Sequence, residues 1–186
     1  MKRLFILLLM CGSMALSGCS SLIAPKYSFS PENVQALKDG GTGKVRLGEF
    51  RAATPETESA DIGMRGSHLN SPYGSYSAYL REAILQEFTE AGRYSADANT
   101  EIGGILEKNL FNANGISQGD GELAARITVQ RDGVKTFDKQ LSAKTTWPSS
   151  FAAMTAIPKA VTEYPKLVRE FVRALSQDPD FINATK

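Results

Sequence analysis

Cysteine and histidine are almost missing from this chain of 186 residues: Cys11, Cys19 and His68 are all it has. Two cysteines exclude a disulfide framework and a four-cysteine metal cage. One histidine leaves little material for metal binding or for acid–base chemistry near neutral pH. Neither sign of charge is in excess. With 21 basic and 20 acidic residues, the chain has no basic field for nucleic acid and no acidic solvating tail. No apolar run reaches the ~20 residues that span a bilayer. What remains is a composition near the globular average, 42% hydrophobic and 22% charged, on a length that suits one domain with a short extension.

Residues 1–18 read as an export signal. Lys2 and Arg3 form the positive start, Leu4 to Met10 the apolar stretch, and Gly12 and Ser13 interrupt it. The segment Leu16-Ser17-Gly18-Cys19 resembles the lipobox of bacterial lipoproteins. That resemblance implies that the Cys19 thiol carries diacylglycerol, that the chain is cut before it, and that the new amino group is acylated as well. Two or more acyl chains, at ~0.8 kcal/mol per buried methylene, hold a protein to a membrane almost permanently. Position 20 is Ser rather than Asp, which by the enterobacterial sorting rule implies the outer membrane, with the domain facing the periplasm. The processed chain has 168 residues, 19 basic against 20 acidic once Lys2 and Arg3 are gone, and no free thiol. That removes cysteine nucleophiles and cysteine-held metals.

Residues 19–43 carry Pro25, Pro31 and Gly40-Gly41-Thr42-Gly43 with few regularly spaced apolar positions. This composition predicts a lipidated N-terminus and flexible tether with a short turn near Pro31 to Leu37. Residues 44–182 form one domain. Lys44 to Phe50 predicts a first strand, and Ala52 to Tyr76 a long loop. Tyr76 to Ala91 predicts a helix, because Leu80, Ile84, Phe88 and Ala91 share one face and Gly92 supplies a left-handed cap. Glu87 flanks that face and is expected to reach water.

Glu101 to Phe111 reads as a second strand, with Gly103-Gly104 marking a bulge or a close backbone approach. Glu122 to Arg131 and Val134 to Trp147 read as a third and fourth. A two-residue Asp132-Gly133 turn with unbroken register sets Ile127 opposite Asp138 and turns a carboxylate toward the core. A three-residue Arg131-Asp132-Gly133 loop sets Ile127 opposite Phe137, and is therefore expected. Ile157 to Leu175 predicts the last helix, with Pro158 in its first turn and a kink or break at Pro165. The order β-α-β-β-β-α predicts an α/β two-layer sandwich: a four-stranded mixed sheet, first two strands parallel, with two helices on one face.

Motifs for chemistry are weak. Gly115-Ile116-Ser117-Gln118-Gly119 matches G-x-S-x-G, but it lies between two strands and the lone histidine, His68, is upstream, so a serine hydrolase of Ser117 and His68 lacks its usual frame. Gly40 to Lys44 lacks the leading glycine and the hydroxyl of a phosphate loop. Asn112, Asn114 and Gly115 lack both anchoring carboxylates of a calcium loop. We therefore expect no catalytic residue, cofactor or metal. Trp147, before Pro148 at a strand end, is either core or an exposed contact anchor; Tyr73 and His68 are further candidate contact residues for a partner.

Val45-x-Leu47-Gly48-x-Phe50, the Leu80 to Gly92 helix end, Ile102-Gly103-Gly104, Trp147 and Tyr164-Pro165-x-Leu167-Val168 together resemble YajG-like lipoproteins and the auxiliary lipoproteins of lipid-transporting ABC systems. The resemblance implies a non-catalytic binding or scaffolding component of a periplasmic or outer-membrane assembly, with a protein partner in the envelope. The competing expectations are a lipid or small-ligand carrier with a pocket between helices and sheet, and the anchored hydrolase.

Overall fold

The structure, a computed structural model, describes residues 21–58 and 62–186. The export signal and Cys19 lie outside the described residues. The elements are β1 (Ser21–Ile23), α1 (Pro31–Asp39), β2 (Val45–Ala52), α2 (Pro55–Glu58), β3 (Gly63–Met64), β4 (Ser67–Asn70), α3 (Tyr76–Glu90), β5 (Thr100–Asn112), β6 (Gln118–Arg131), β7 (Val134–Pro148), α4 (Ala153–Ser176) and α5 (Pro179–Ala184). The main sheet has the order β2-β5-β6-β7, with β2 and β5 parallel and the other pairs antiparallel. A three-stranded sheet, β1-β4-β3, stands beside it. The mixed sheet matches expectation; the second sheet and the extra helices do not.

Alternation builds the large sheet. Leu123, Ala125, Ile127 and Val129 of β6 are buried against the helices, while the opposite face holds ion pairs such as Arg126–Asp138 (2.8 Å) and Lys108–Glu122 (2.9 Å). The expected close approach at Gly104 is real: a Cβ there would lie 2.5 Å from the Phe50 ring. Ser75 caps α3 by accepting from the Ala78 amide at 3.1 Å. At its other end Gly92, at φ +69°, ends the helix while Arg93 N donates to Phe88 O.

The β6–β7 hairpin corrects the expected three-residue loop. Asp132 (φ +51°) and Gly133 (φ +80°) make a two-residue turn, and Arg131 pairs with Val134. One extra residue, Thr136, then shifts the register, so that Val129 faces Phe137 and Ile127 faces Lys139. Parity is thereby restored two residues farther along β7. Asp138 points to the outer face as the cost of burying charge demands, and Lys139 is paired with Asp178 at 2.6 Å.

Two other expectations are overturned. Residues 21–43 are not a free tether: β1 pairs with β4, Ser30 caps α1, and Tyr27, Val34 and Leu37 are buried in the core. This segment crosses the outer side of α3 and α4, with Asn33 Nδ2 donating to Arg169 O at 3.2 Å. The last helix starts at Ala153 rather than Ile157 and continues to Ser176, so Pro158 lies beyond its first turn and Pro165 does not divide it into two helices. Its apolar arc (Tyr164, Leu167, Val168, Phe171, Leu175) is buried as its spacing requires.

Candidate functional site

Trp147 is not a contact anchor. It is 3% exposed and stacks on Phe111 with ring centroids 4.6 Å apart. Its cross-strand partner Gly119 gives it room, since a Cβ there would sit 2.3 Å from the indole. The rings of Tyr76, Tyr79 and Tyr164 continue this layer, with centroids 5.1 and 5.3 Å from Tyr164. These aromatics fill the space between helices and sheet where a carrier pocket was expected. Tyr73 is half-buried: its hydroxyl accepts from the Tyr27 amide at 3.1 Å and its ring meets Tyr79 edge-on at 5.3 Å. His68 is exposed on β4, opposite Ser21.

Ser117 stands in the β5–β6 loop, where its carbonyl accepts from the Ser149 amide at 2.9 Å. A strand follows it rather than the helix that a nucleophile elbow requires. Among the described residues no group of three His, Cys, Asp or Glu side chains is placed to hold a metal. An open cleft of about 530 Å³ is lined by Glu58, His68, Leu69, Ser75 and Tyr76 among others. Glu58 Oε1 is engaged there as the acceptor for the Ser77 amide at 3.2 Å.

One buried acid is a residue that sequence reasoning set in water. Glu87 is fully buried. Its Oε1 accepts from Tyr27 Oη (2.6 Å), Ser30 N (2.9 Å) and Asn33 Nδ2 (3.4 Å), while Oε2 has no hydrogen-bond partner among the described residues. Burial raises its pKa above the ordinary 4.5, against the opposing pull of these hydrogen bonds and of the Arg169 charge. All three donors come from the segment preceding or opening α1. Glu87 thus fastens the N-terminal segment to α3. Arg93 does the same at the C-terminus, donating to Leu37 O (2.8 Å), Gly43 O (3.0 Å) and Thr185 O.

One end of the sandwich is built differently from the rest. The β3–β4 turn is Arg65-Gly66, with φ +55° and +85°. Arginine rarely occupies the left-handed region, so its side chain is the reason to look here. The Arg65 guanidinium donates to Phe151 O (2.6 Å), Gly115 O (3.0 Å) and Ser150 O, and the Arg65 amide to Asn114 Oδ1 (2.8 Å). Three separate loops are thereby tied into one surface. On it Ile116, Phe151 and Met154 are 64%, 81% and 92% exposed. An Arg-Gly pair between short apolar runs was the available signal for the turn; its reach to two distant loops had none.

Comparisons with known proteins speak to the fold. No known family matches the chain, and no curated protein matches it at the level of sequence. Among solved structures, protein XCC0632 from Xanthomonas campestris superposes with a TM-score of 0.51 at 13% identity, covering 89% of this chain and 93% of its own. Protein CT253 from Chlamydia trachomatis gives 0.52 at 11% identity, over 77% of this chain and 99% of its own. The α/β architecture is therefore one that other bacterial proteins share.

Proposed function

We propose that this chain is a non-catalytic lipoprotein of the bacterial envelope, held at the outer membrane through acylated Cys19, whose periplasmic domain binds another envelope protein. The observation that carries the reading is Leu16-Ser17-Gly18-Cys19 behind Lys2-Arg3 and an apolar stretch. Two features of the domain favour binding over chemistry. The buried Glu87 and Arg93 are spent on fastening chain segments, Glu87 the stretch from Tyr27 to Asn33 and Arg93 the carbonyls of Leu37, Gly43 and Thr185. The second feature is β7, an edge strand of 15 residues whose described partner is β6 alone. Lys135, Lys139 and Lys144 lie along it, ion-paired with Asp138, Asp178 and Glu122, and charged side chains on an edge strand discourage self-pairing while its free backbone groups can take a partner strand.

The reading is tested by photo-crosslinkers placed in β7 at Ser142 and Lys144, with Gln35 on exposed α1 as the control. A discrete envelope protein captured from β7 positions and not from Gln35 supports it. Equal or absent capture at all three counts against a partner on this edge.

A further inference from the structure

We infer that the charge-poor end of the sandwich, formed by Ile116, Phe151 and Met154 around the Arg65 clamp, rests in the interfacial layer of the lipid bilayer. The inference rests on the acylation of Cys19 proposed above and adds to it a fixed orientation of the domain.

Chain direction carries the argument. Strand β1 runs parallel to β4, with Ser21 beside His68 and Ile23 beside Asn70. Passing backward from Ile23 to Ser21 therefore leads toward the Arg65-Gly66 turn, which precedes β4. Cys19 is two residues before Ser21, so chain reach keeps it within ~7 Å of that strand end. With 21–43 packed into the domain rather than free, no long tether separates the anchor from the fold. An acyl chain leaving Cys19 brings the membrane surface to this end of the molecule.

The composition there fits a lipid surface. Residues 111–119 and 145–158 contain no charged side chain, and neither do residues 20–25 leading into β1. Arg65 and Asp120 are the exceptions: the Arg65 guanidinium is turned onto three carbonyls, and Asp120, at the base of the β5–β6 loop, accepts from Asn112 Nδ2 at 3.3 Å. The exposed apolar side chains sit on the β5–β6 loop (Ile116), the β7–α4 connection (Phe151) and the first turn of α4 (Met154). Exposed Phe, Ile and Met side chains with little charge around them are suited to the headgroup–acyl boundary. The opposite end is unlike it: Arg131, Asp132, Lys135 and Asp138 gather at the β6–β7 turn, about 45 Å away along a 15-residue strand.

The test uses the full-length chain, expressed, processed and purified from membranes, then reconstituted into vesicles of phosphatidylethanolamine and phosphatidylglycerol. Phe151→Cys and, at the far end, Val134→Cys are labelled with an environment-sensitive fluorophore and challenged with nitroxide-bearing lipid. The expected result is quenching several-fold stronger at 151 than at 134, abolished at an Ile116→Cys label when Phe151→Asp and Met154→Asp are added, with all variants still floating with the vesicles. Flotation with equal, weak quenching at both ends overturns the orientation and leaves the anchor intact. Shielding of position 151 in native membranes but not in pure lipid assigns the face to a protein and overturns the lipid assignment. Loss of flotation overturns the anchor, and the orientation with it.

Discussion

Removing the Glu87 carboxylate tests how the N-terminal segment is held. In Glu87→Ala, Tyr27 Oη and Ser30 N lose their acceptor in a site closed to water, while Asn33 Nδ2 keeps Arg169 O. An orphaned buried donor costs about 1–3 kcal/mol, and relief of the desolvated charge offsets part of the total, so we expect a loss of about 3 kcal/mol. At roughly 2–4 °C per kcal/mol for a chain of this size, Tm falls by about 6–12 °C. Glu87→Gln loses less, because its carbonyl oxygen can still accept. The two variants separate further with pH. Burial raises the folded-state pKa of Glu87 above 4.5, so the folded chain keeps a proton that the unfolded chain releases. The stability from this group is present below about pH 4.5 and declines as pH rises through the folded value. The parent should therefore lose ground to Glu87→Gln as pH is raised. The measurement is urea unfolding at a series of pH values. A Glu87→Ala variant within ~0.5 kcal/mol of the parent, as for a surface substitution, refutes the fastening role.

Four further outcomes follow from the packing. Gly104→Ala, whose Cβ would meet the Phe50 ring at 2.5 Å, should cost about 1–3 kcal/mol; Phe50→Ala in the same chain should recover part of it in a double-mutant cycle. Gly133→Ala, at φ +80°, should destabilise the hairpin by about 1 kcal/mol, read by thermal unfolding. Arg65→Ala should release the loops at 114–117 and 149–152, visible as faster amide exchange there with little change in β6 and β7. Trp147, the sole tryptophan and 3% exposed, should emit at short wavelength and resist iodide quenching; an emission typical of water would contradict its place in the core.

The central sheet and its two long helices were legible because period-two and period-3.6 patterns report directly on which face is buried, as in Leu123 to Val129 and Tyr164 to Leu175. The hairpin was half-legible. The cost of turning Asp138 inward required an odd correction to the register, but nothing in the letters said whether the extra residue would enter the turn or come later, at Thr136. Residues 24–40 escaped because their buried side chains, Tyr27, Val34 and Leu37, are too sparse to show a period, and their burial depends on α3 and α4 lying beneath them. Glu87 escaped for the same reason from the other side. A carboxylate at the rim of a helix face is ordinarily wet, and only a segment more than fifty residues away in sequence closes it off. For Trp147 at a strand end the letters favoured the core over an exposed contact, and Gly119 opposite it supplies the room that burial needs. Arg65 shows the limit most plainly, since three carbonyls from two loops give no sequence signal at all.

Intact mass spectrometry of the protein extracted from its membranes tests the central claim most directly. The account predicts a chain beginning at Cys19 and carrying diacylglycerol and an amide-linked acyl group. A chain that still begins at Met1, or one with an unmodified Cys19 thiol, would contradict it.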